Sequence, residues 1–425
     1  MGKSRCELVL QAALRGSRLG QEQPVAAFVD TEGVNHTVRA LHEAFPNHFE
    51  HAFAAKANSM SQALRLVKKA GMSCEVAGPG ELEQALRTGF SPQQIVYDEP
   101  AKTVAVLRKV LAGGIGLNID NFQEFERVKT LVRESNSPSR IGYRINPQVG
   151  AGRIAAMSTA THRSKFGVAL EDEGNRDALI SAYRNNRWLT SLHTHVGSQG
   201  CSLDLMTAGI RKVVDLAEEI NSLAGSQQVD VIDIGGGLPV NFESDEVRPT
   251  FAEYAAELKK QVPELFSGKY QVKTEFGRAI YAKNGFIATL VEYTKNSGGR
   301  QIALTHAGGQ VATRTVFMPD HWKIRVSVFD SSGRAKAGGE LPQDIAGPLC
   351  FAGDLVATER LLPLIEPGDI VVLHDTGAYY FSNPFYYNAL PAPAVYGVEI
   401  RSEKTVELDC WRQQQTLGDI LTVLG

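Results

Sequence analysis

Three short segments place a reactive or ionisable side chain at the end of a β-rich run. Lys56 stands in AFAAKAN, His195 in HTHVGSQ, and Glu275 with Arg278 in EFGR. A lysine at the end of a buried run loses hydration, which favours its neutral amine and suits it to imine formation. The spacing leaves one alternative open, a lysine whose ammonium simply extends from the strand end into solvent.

Other groups near strand ends are suited to binding an anion or to controlling the protonation of a pyridine ring. The run Gly235-Gly236-Gly237 follows Asp233-Ile234. Its consecutive backbone N–H groups are suited to binding a phosphate, and the alternative is that the glycines only form a tight turn. The dinucleotide fingerprint Gly-x-Gly-x-x-Gly is not present in this run. Glu275 is suited to keeping a pyridine nitrogen protonated, and Arg278 to binding a phosphate or carboxylate. A local ion pair between these two residues is the alternative.

The histidine pair His193 and His195 raises the question of a metal. Residues i and i+2 of a strand face the same side, so both rings point one way. No third ligand is evident near them in the sequence, and we therefore predict no metal site. A flat imidazole stacked on an aromatic cofactor fits His195 equally well.

Eight β-rich runs recur between about residues 50 and 280, and segments with helical periodicity separate them. The runs are HAFAAKAN (51–58), SCEVAG (73–78), QIVYDEP (94–100), GIGLNIDN (114–121), SRIGYRINP (139–147), LTSLHTHVG (189–197), VDVIDIGGG (229–237) and YQVKTEFGR (270–278). Strands that alternate with helices pair in parallel, and eight units of this length predict a (β/α)8 barrel. An open doubly wound sheet is the alternative.

The sequence pattern changes after residue 280, where β-rich runs alternate with turn residues and helical periodicity is rare. This pattern predicts a second, mostly antiparallel β domain. The early run PVAAFVD (24–30) precedes the barrel strands and is assigned to the same domain. We therefore predict a barrel over 30–280 and a β domain built from 1–29 and 281–425.

The composition excludes several classes of protein. Of the 425 residues, 43% are hydrophobic and 21% charged, with a net charge of −3, as in an ordinary globular protein. Such a balance predicts neither a nucleic-acid surface nor a polybasic membrane anchor. No apolar run approaches the length of a transmembrane helix. The five cysteines lack Cys-x-x-Cys spacing, which favours reduced thiols and a cytoplasmic protein.

Taken together, six motifs resemble a known family. AFAAKAN, HVGSQ, DIGGG, EFGR, the Cys-x-x-x-Asp of LCFAGD and the GAY of HDTGAYYF occur in one order along nearly the whole chain. They are similar to the fold type III, pyridoxal 5'-phosphate (PLP) dependent decarboxylases, the diaminopimelate, ornithine and arginine group. The resemblance implies a barrel followed by a β domain, as in alanine racemase.

The resemblance also implies roles for residues of the barrel. Lys56 matches the lysine that binds PLP covalently, His195 the histidine stacked on the cofactor ring, and Glu275 the acid at the pyridine nitrogen. Phosphate-binding positions match Ser198, Gly236, Gly237, Arg278 and Tyr379.

Cys350 matches the family's cysteine that enters the site of the partner subunit and reprotonates the substrate carbon. This match implies a homodimer with shared active sites. The reaction expected of the family is loss of the α-carboxylate from an amino acid, with PLP accepting the charge that remains.

The sequence departs from the family beside that cysteine. Ornithine and diaminopimelate decarboxylases have an acid that pairs with the distal ammonium of the substrate, and here the position is Phe351. An unpaired buried ammonium is costly, although a ring offers a weaker cation–π contact. Arg314, after Gly308-Gly309, resembles the siderophore-type members and could hold a distal carboxylate. Asp354 could replace the missing acid.

We therefore expect a decarboxylase whose small amino-acid substrate ends in a carboxylate or an acylated group rather than a simple amine. Diaminopimelate remains a candidate, and a citryl-amino acid of siderophore biosynthesis is the alternative. An amino-acid racemase and a non-catalytic PLP-binding regulatory homologue are the other classes. Cys350 and HVGSQ argue against the racemase, and retention of Lys56 and Glu275 argues against the non-catalytic homologue.

Overall fold

A computed structural model describes residues 2–402 and 405–425 of the chain. The chain divides into two compact units, each of which is defined by the contacts among its own residues. The barrel unit comprises Thr37–Val240 and Arg248–Ala279, and the sheet unit comprises Met1–His36, Asn241–Val247 and Ile280–Gly425.

The described residues form helices and strands in regular alternation over the first two thirds of the chain. The helices are α1 (Lys3–Arg15), α2 (Thr31–Ala44), α3 (Ser61–Lys69), α4 (Pro79–Arg87), α5 (Val104–Gly113), α6 (Phe122–Ser135), α7 (Asn175–Asn185), α8 (Leu203–Ala224), α9 (Phe251–Gln261), α10 (Arg278–Tyr281), α11 (Gly309–Phe317) and α12 (Leu417–Leu424). The strands are β1 (Val25–Asp30), β2 (Phe49–Ala54), β3 (Ser73–Val76), β4 (Ile95–Tyr97), β5 (Gly116–Ile119), β6 (Ile141–Asn146), β7 (Val168–Ala169), β8 (Leu189–His193), β9 (Val231–Asp233), β10 (Gln271–Phe276), β11 (Gly285–Ser297), β12 (Arg300–Thr305), β13 (Val326–Phe329), β14 (Glu340–Ala346), β15 (Leu355–Pro363), β16 (Ile370–Leu373), β17 (Ala394–Ser402) and β18 (Thr405–Arg412). Among these helices, none combines the length and apolar character needed to cross a membrane.

Short 3₁₀ turns complete the regular structure. They comprise Ala55–Ala57, Pro92–Gln94, Ala155–Met157, Pro263–Phe266, Ala282–Asn284 and Tyr387–Ala389. The first of them contains Lys56 and follows directly on β2, so its side chain starts at the carboxyl end of a barrel strand.

Eight parallel strands close into a barrel in the order β2-β3-β4-β5-β6-β8-β9-β10, and β10 pairs back onto β2. The predicted (β/α)8 barrel is confirmed, and the open doubly wound sheet is wrong. Seven of the eight predicted runs contain one of these strands, and the run 51–58 overlaps β2, which begins two residues earlier at Phe49. Strands such as β6 are buried along their full length because helices cover the outside of a parallel barrel. Gly114 and Gly225 end α5 and α8 in the left-handed conformation.

The sheet unit contains nine strands in one mixed sheet, with the central order β15-β14-β12-β11-β1-β17-β18. β16 pairs with β11 and β13. Neighbouring strands are mostly antiparallel, and the parallel pairs are β1 with β17 and β12 with β14. The early strand β1 lies in the middle of this sheet, which explains why its six-residue sequence is almost entirely buried.

The N-terminal helix α1 covers one face of this sheet. Cys6, Val9, Leu10 and Ala13 recur at helical spacing, are fully buried, and join the core that contains Phe28 of β1. The sequence analysis assigned no helix to this segment. These four residues are the buried stripe of an amphipathic helix.

Candidate active site

Lys56 contacts a buried acid that the sequence interpretation did not single out. Its Nζ lies 2.8 Å from Oε2 of Glu75 on the neighbouring strand β3. The lysine side chain is 39% exposed, whereas that of Glu75 is fully buried. The ammonium therefore faces a carboxyl group at the barrel's rim and not only apolar side chains. Burial raises the pKa of Glu75, and Lys56 opposes that rise.

Glu275 on β10 belongs to a chain of ionisable groups beneath the strand ends. Its Oε2 lies 3.3 Å from Nε2 of His193, the last residue of β8. The other ring nitrogen of His193 lies 3.6 Å from Oδ1 of Asp98. Arg144 on β6 donates to Oδ2 of Asp98 at 2.5 Å. Three barrel strands and the residue that follows β4 thus meet in one polar cluster.

The protonation of this cluster follows from its burial. Burial raises the pKa of Glu275 to about 8, and the charges of Glu75 and Asp98 add to the rise. Burial also raises the pKa of Asp98, but Arg144 and His193 outweigh it and hold that pKa below its ordinary value. Asp98 is therefore the ionised acid of the cluster, while Glu275 retains its proton near neutral pH.

The cluster changes the question of a metal at His193. Asp98, His193 and Glu275 each place one possible ligand atom within 4.8 Å of the others. Two carboxyl groups thus lie beside a histidine for which the sequence offered no neighbouring ligand. Asp98 is already paired with Arg144, and the positive charge of that guanidinium opposes the binding of a metal cation beside it.

His195 follows β8 and faces the glycine-rich turn. Its Nδ1 accepts the backbone N–H of Gly236 at 3.2 Å. Burial lowers the pKa of His195 well below its ordinary value, and the charges of Lys56 and Arg144 lower it further. The ring is therefore neutral, with its proton on Nε2 because Nδ1 is an acceptor. A neutral, flat imidazole is suited to stacking on an aromatic ring.

The glycine turn is required by packing as well as by any ligand. A Cβ at Gly236 would collide with the backbone of Glu275, and one at Gly237, where φ is +95°, with the backbone of Gly197. The N–H of Gly235 already donates to Oδ1 of Asp233 at 3.0 Å. The turn thus lets three strand ends approach each other closely. Its backbone groups are only partly available to a phosphate.

Two further residues predicted to bind phosphate lie in the barrel unit. Ser198 follows β8, and its backbone N–H donates to the carbonyl of Met157 at 2.9 Å, which fixes the loop. Arg278 is buried and begins α10 at the end of β10. These positions place a hydroxyl and a guanidinium on loops that follow β8 and β10.

Cys350 and Phe351 lie in the sheet unit within a group of aromatic residues. Cys350 is exposed, and its N–H donates to Oδ1 of Asn388 at 2.8 Å. Phe351 stacks on Phe317, with ring centroids 5.2 Å apart. Phe385 contacts Phe317 edge-on at 5.8 Å. The position at which the family has an acid is thus part of a partly exposed aromatic surface.

Asp354 has a structural task. Its two carboxylate oxygens accept the backbone N–H groups of Gly309 at 2.6 Å and Leu349 at 2.7 Å. A Cβ at Gly308 would collide with this carboxylate. Because one oxygen holds the start of α11 and the other holds the loop between β14 and β15, Asp354 is poorly placed to replace the missing acid at Phe351.

Arg314 on α11 is a half-buried cation held between aromatic faces. Its guanidinium lies 4.2 Å from the ring centroid of Tyr379 and 5.3 Å from that of Trp322. Within the described part of the chain, Nη1 has no hydrogen-bond partner and no carboxylate pairs with the group. Burial lowers its pKa. A desolvated guanidinium with a free donor favours binding of an anion.

Comparison with known proteins agrees with this architecture. Residues 31–282 match the family model described as the pyridoxal-dependent decarboxylase, pyridoxal binding domain. Diaminopimelate decarboxylase of Methanothermobacter thermautotrophicus is 28% identical over 402 residues, covering 92% of this chain and 90% of the relative. The Helicobacter pylori (strain J99) enzyme is 29% identical over 372 residues, covering 85% and 87%.

Solved structures share the fold. Helicobacter pylori diaminopimelate decarboxylase in complex with L-lysine superimposes with a TM-score of 0.82 at 24% identity, covering 94% of this chain and 96% of that chain. Vibrio vulnificus lysine/ornithine decarboxylase with cadaverine gives 0.75 at 20% identity, covering 92% and 98%. The chain belongs to the pyridoxal-dependent decarboxylases and is a PLP-dependent amino-acid carboxy-lyase.

The residues of the barrel unit fit PLP. Lys56 offers a primary amine on a side chain that is 39% exposed. Within the described residues, Oε1 of Glu275 is buried without a hydrogen-bond partner, as expected of an oxygen that awaits a ring N–H. His195 supplies a neutral ring, and the segments after β8, β9 and β10 supply a hydroxyl, backbone N–H groups and a guanidinium, which are the kinds of group that suit a phosphate.

Glu75, Asp98 and Arg144 are the functional-site residues that the sequence interpretation missed. Each is charged, and each lies in or directly after a buried barrel strand. A charged residue inside such a run is itself a signal, since buried charges require a partner. The partner, however, lies on another strand in every case.

Proposed function

We propose that the protein decarboxylates an α-amino acid that carries a second carboxylate at its distal end, with diaminopimelate as the first candidate. The single observation that carries this proposal is Arg314, a half-buried guanidinium whose buried Nη1 has no hydrogen-bond partner and which has no carboxylate partner within the described residues. The diaminopimelate decarboxylases at 28% and 29% identity support the same substrate.

We assign the cofactor contacts as the resemblance to the family implies, and the chemistry of each group agrees with its role. Lys56 would bind PLP covalently, and the neutral ring of His195 would stack on it. Glu275, whose Oε1 has no hydrogen-bond partner within the described residues, would pair with the ring nitrogen. Ser198, Arg278, Tyr379 and the turn Gly236–Gly237 would hold the phosphate. The N–H of Gly236 reaches the phosphate only by giving up Nδ1 of His195.

PLP, when bound, accepts the charge that remains on the α-carbon after CO2 leaves. The residues of this chain orient the cofactor and substrate, exclude water and transfer protons. Glu275 would hold a proton at the ring nitrogen, and His195 would cover one face of the ring. Cys350 would donate its thiol proton to the α-carbon of the substrate. The exposed position of Cys350 suits a group that serves the site of a second subunit, so we also propose a homodimer.

Acylated conjugates are the second candidate class of substrate. The observation that favours them is the aromatic contact between Phe351 and Phe317, which offers no charge to a distal ammonium. A citryl-amino acid presents carboxylates to Arg314 and no free distal amine to Phe351. Family membership makes a racemase the weaker interpretation. CO2 release separates the decarboxylase from both the racemase and a non-catalytic homologue.

The substrate proposal is tested by CO2 release from purified protein with PLP. The substrates are diaminopimelate, lysine, ornithine, arginine and carboxylate-tipped conjugates. We expect kcat/KM for a carboxylate-tipped substrate to exceed that for lysine or ornithine by about two orders of magnitude, since an unpaired buried ammonium costs roughly 3–5 kcal/mol. Equal turnover of lysine and every carboxylate-tipped substrate would contradict the proposal.

Two variants assign this preference to residues. Arg314→Gln should remove most of the discrimination, and Phe351→Glu should raise relative activity on lysine and ornithine by about tenfold or more. Arg412→Gln is the matched control, since Arg412 is also half-buried in the sheet unit but donates to the carbonyls of Phe381 and Pro393. If Arg314→Gln changes the ranking no more than Arg412→Gln does, Arg314 does not bind the substrate.

The shared site is tested by mixing inactive variants. Lys56→Ala and Cys350→Ala homodimers should each be inactive or weak, and hybrids should recover up to about half of the activity per hybrid dimer, because one of two sites keeps both residues. Subunit exchange is followed with differently tagged chains. Confirmed exchange without recovered activity would show that Lys56 and Cys350 act within one chain. Cys410→Ala is the control, since Cys410 is the other exposed cysteine.

A further inference from the structure

We propose that His193 is a positioning residue that takes the proton of Glu275 at Nε2, with Asp98 and Arg144 behind it, and so keeps Glu275 ionised where it faces the PLP ring. The inference rests on the proposed pairing of Glu275 with the ring nitrogen. It adds a role for a histidine that stands outside the cofactor contacts assigned above.

The geometry places His193 between two acids. Its ring is fully buried, and its nitrogens point to different carboxyl groups: Nε2 to Glu275 at 3.3 Å and Nδ1 to Asp98 at 3.6 Å. Arg144 anchors the far side of Asp98 at 2.5 Å. The 3.6 Å contact at Nδ1 is longer than a hydrogen bond, so Asp98 acts on His193 through its charge, whereas a proton at Nε2 is directed at an oxygen of Glu275.

The charges of the cluster give the direction of the effect. Asp98 is ionised, because Arg144 holds its pKa low, and it attracts a proton to Nδ1 of His193. While Glu275 keeps its proton, Nε2 accepts a hydrogen bond from it. When Glu275 is ionised, a proton on Nε2 converts that contact into donation to the carboxylate. Burial lowers the pKa of His193, and the charges of Asp98 and Asp233 oppose that fall. The additional negative charge of an ionised Glu275 at 3.3 Å is therefore what favours the imidazolium.

Other charged groups also face Glu275 and shift its pKa. Glu75 and Asp98 raise the pKa of Glu275, whereas Lys56 and Arg144 lower it. Asp233 faces both Glu275 and His193 and has its own pKa raised by burial and by Glu275. Within this acid-rich set, His193 is the group whose ring nitrogen contacts Glu275 directly.

A donor at Nε2 shifts the proton shared by Glu275 and the ring nitrogen toward the ring. Without that donor the carboxylate is less stable, and the shared proton moves back to Glu275. The shared proton only moves between Glu275 and the ring nitrogen, so the total number of bound protons stays the same. A titration therefore does not detect the move, but a probe of the ring nitrogen does. The ring nitrogen of PLP labelled with ¹⁵N reports its own protonation by NMR in the reconstituted enzyme.

The test uses two amide variants that differ only in reach. In His193→Gln the amide nitrogen occupies the place of Nε2 and donates to Glu275, whereas in His193→Asn it occupies that of Nδ1 and meets only Asp98. We expect the glutamine variant to keep a protonated ring nitrogen and PLP affinity within about threefold of wild type. The asparagine variant and His193→Leu should show a deprotonated ring nitrogen and affinity weaker by about tenfold or more.

The outcomes separate this inference from the proposed function. Glu275→Gln should also deprotonate the ring nitrogen, and if it does not, both the pairing and the role of His193 are overturned. If Glu275→Gln has that effect but His193→Asn and His193→Leu keep the wild-type signal, only the role of His193 is overturned. Circular dichroism and thermal unfolding of each cofactor-free variant establish folding, and the glutamine–asparagine pair decides the result if the leucine variant does not fold.

Discussion

Lys56→Ala is expected to abolish covalent retention of PLP and to lower decarboxylation by at least about a thousandfold, because no other side chain of the assigned site offers an amine at the end of β2. Borohydride reduction of the wild-type enzyme should fix PLP to the peptide that contains Lys56. Mass spectrometry of the digested protein reads the position of the label. A label on another lysine would show that the assignment of the site is wrong.

The substitution also breaks an ion pair, so the effect on chemistry needs a matched control. Lys56 pairs with the buried Glu75 at 2.8 Å, and Lys102 pairs with the buried Glu124 at the same distance elsewhere in the barrel. Lys102→Met should cost stability in thermal unfolding, as loss of a buried pair does, yet retain PLP and measurable turnover. Equal loss of PLP in both variants would point to a general collapse of the barrel.

Glu275→Gln is expected to lower kcat by roughly two to four orders of magnitude while PLP stays attached to Lys56, since glutamine cannot balance a protonated ring nitrogen. Steady-state kinetics and the ¹⁵N signal of the ring measure the two effects separately. Asp233→Asn is the control, because Asp233 is an equally buried acid of the cluster that accepts the N–H of Gly235. Comparable kinetic loss in the two variants would place the effect in the charge of the cluster and not at the ring nitrogen.

The same substitution predicts a pH effect on the cofactor-free protein. The folded pKa of Glu275 is about 8 against an ordinary value of 4.5, so the folded state binds the proton more tightly than the unfolded state does. The free energy of unfolding contributed by this group is fully present below about pH 4.5 and is lost as the pH rises toward 8. In Glu275→Gln the decline in thermal midpoint over this range should be smaller than in the wild type.

The sequence by itself determined the barrel and the chemical identity of the groups at its rim. Alternation of β-rich runs with periodic segments is a local property, and eight repeats of it leave few ways to bury a parallel sheet. Lys56, His195 and Glu275 could be singled out because a reactive side chain at a strand end is visible within a few residues. The six-motif resemblance added the cofactor and the reaction.

Only the tertiary structure decided which groups face each other. Glu75 meets Lys56, and Asp98 meets His193 and Arg144, across strands that are 19 to 95 residues apart in the chain. Such pairs depend on barrel closure and register, which no local pattern carries. The same holds in the sheet unit, where Asp354 proved to hold backbone N–H groups and Arg314 to lie between Tyr379 and Trp322. Residue type is written in the sequence, but the protonation of a buried group depends on neighbours that only folding brings together.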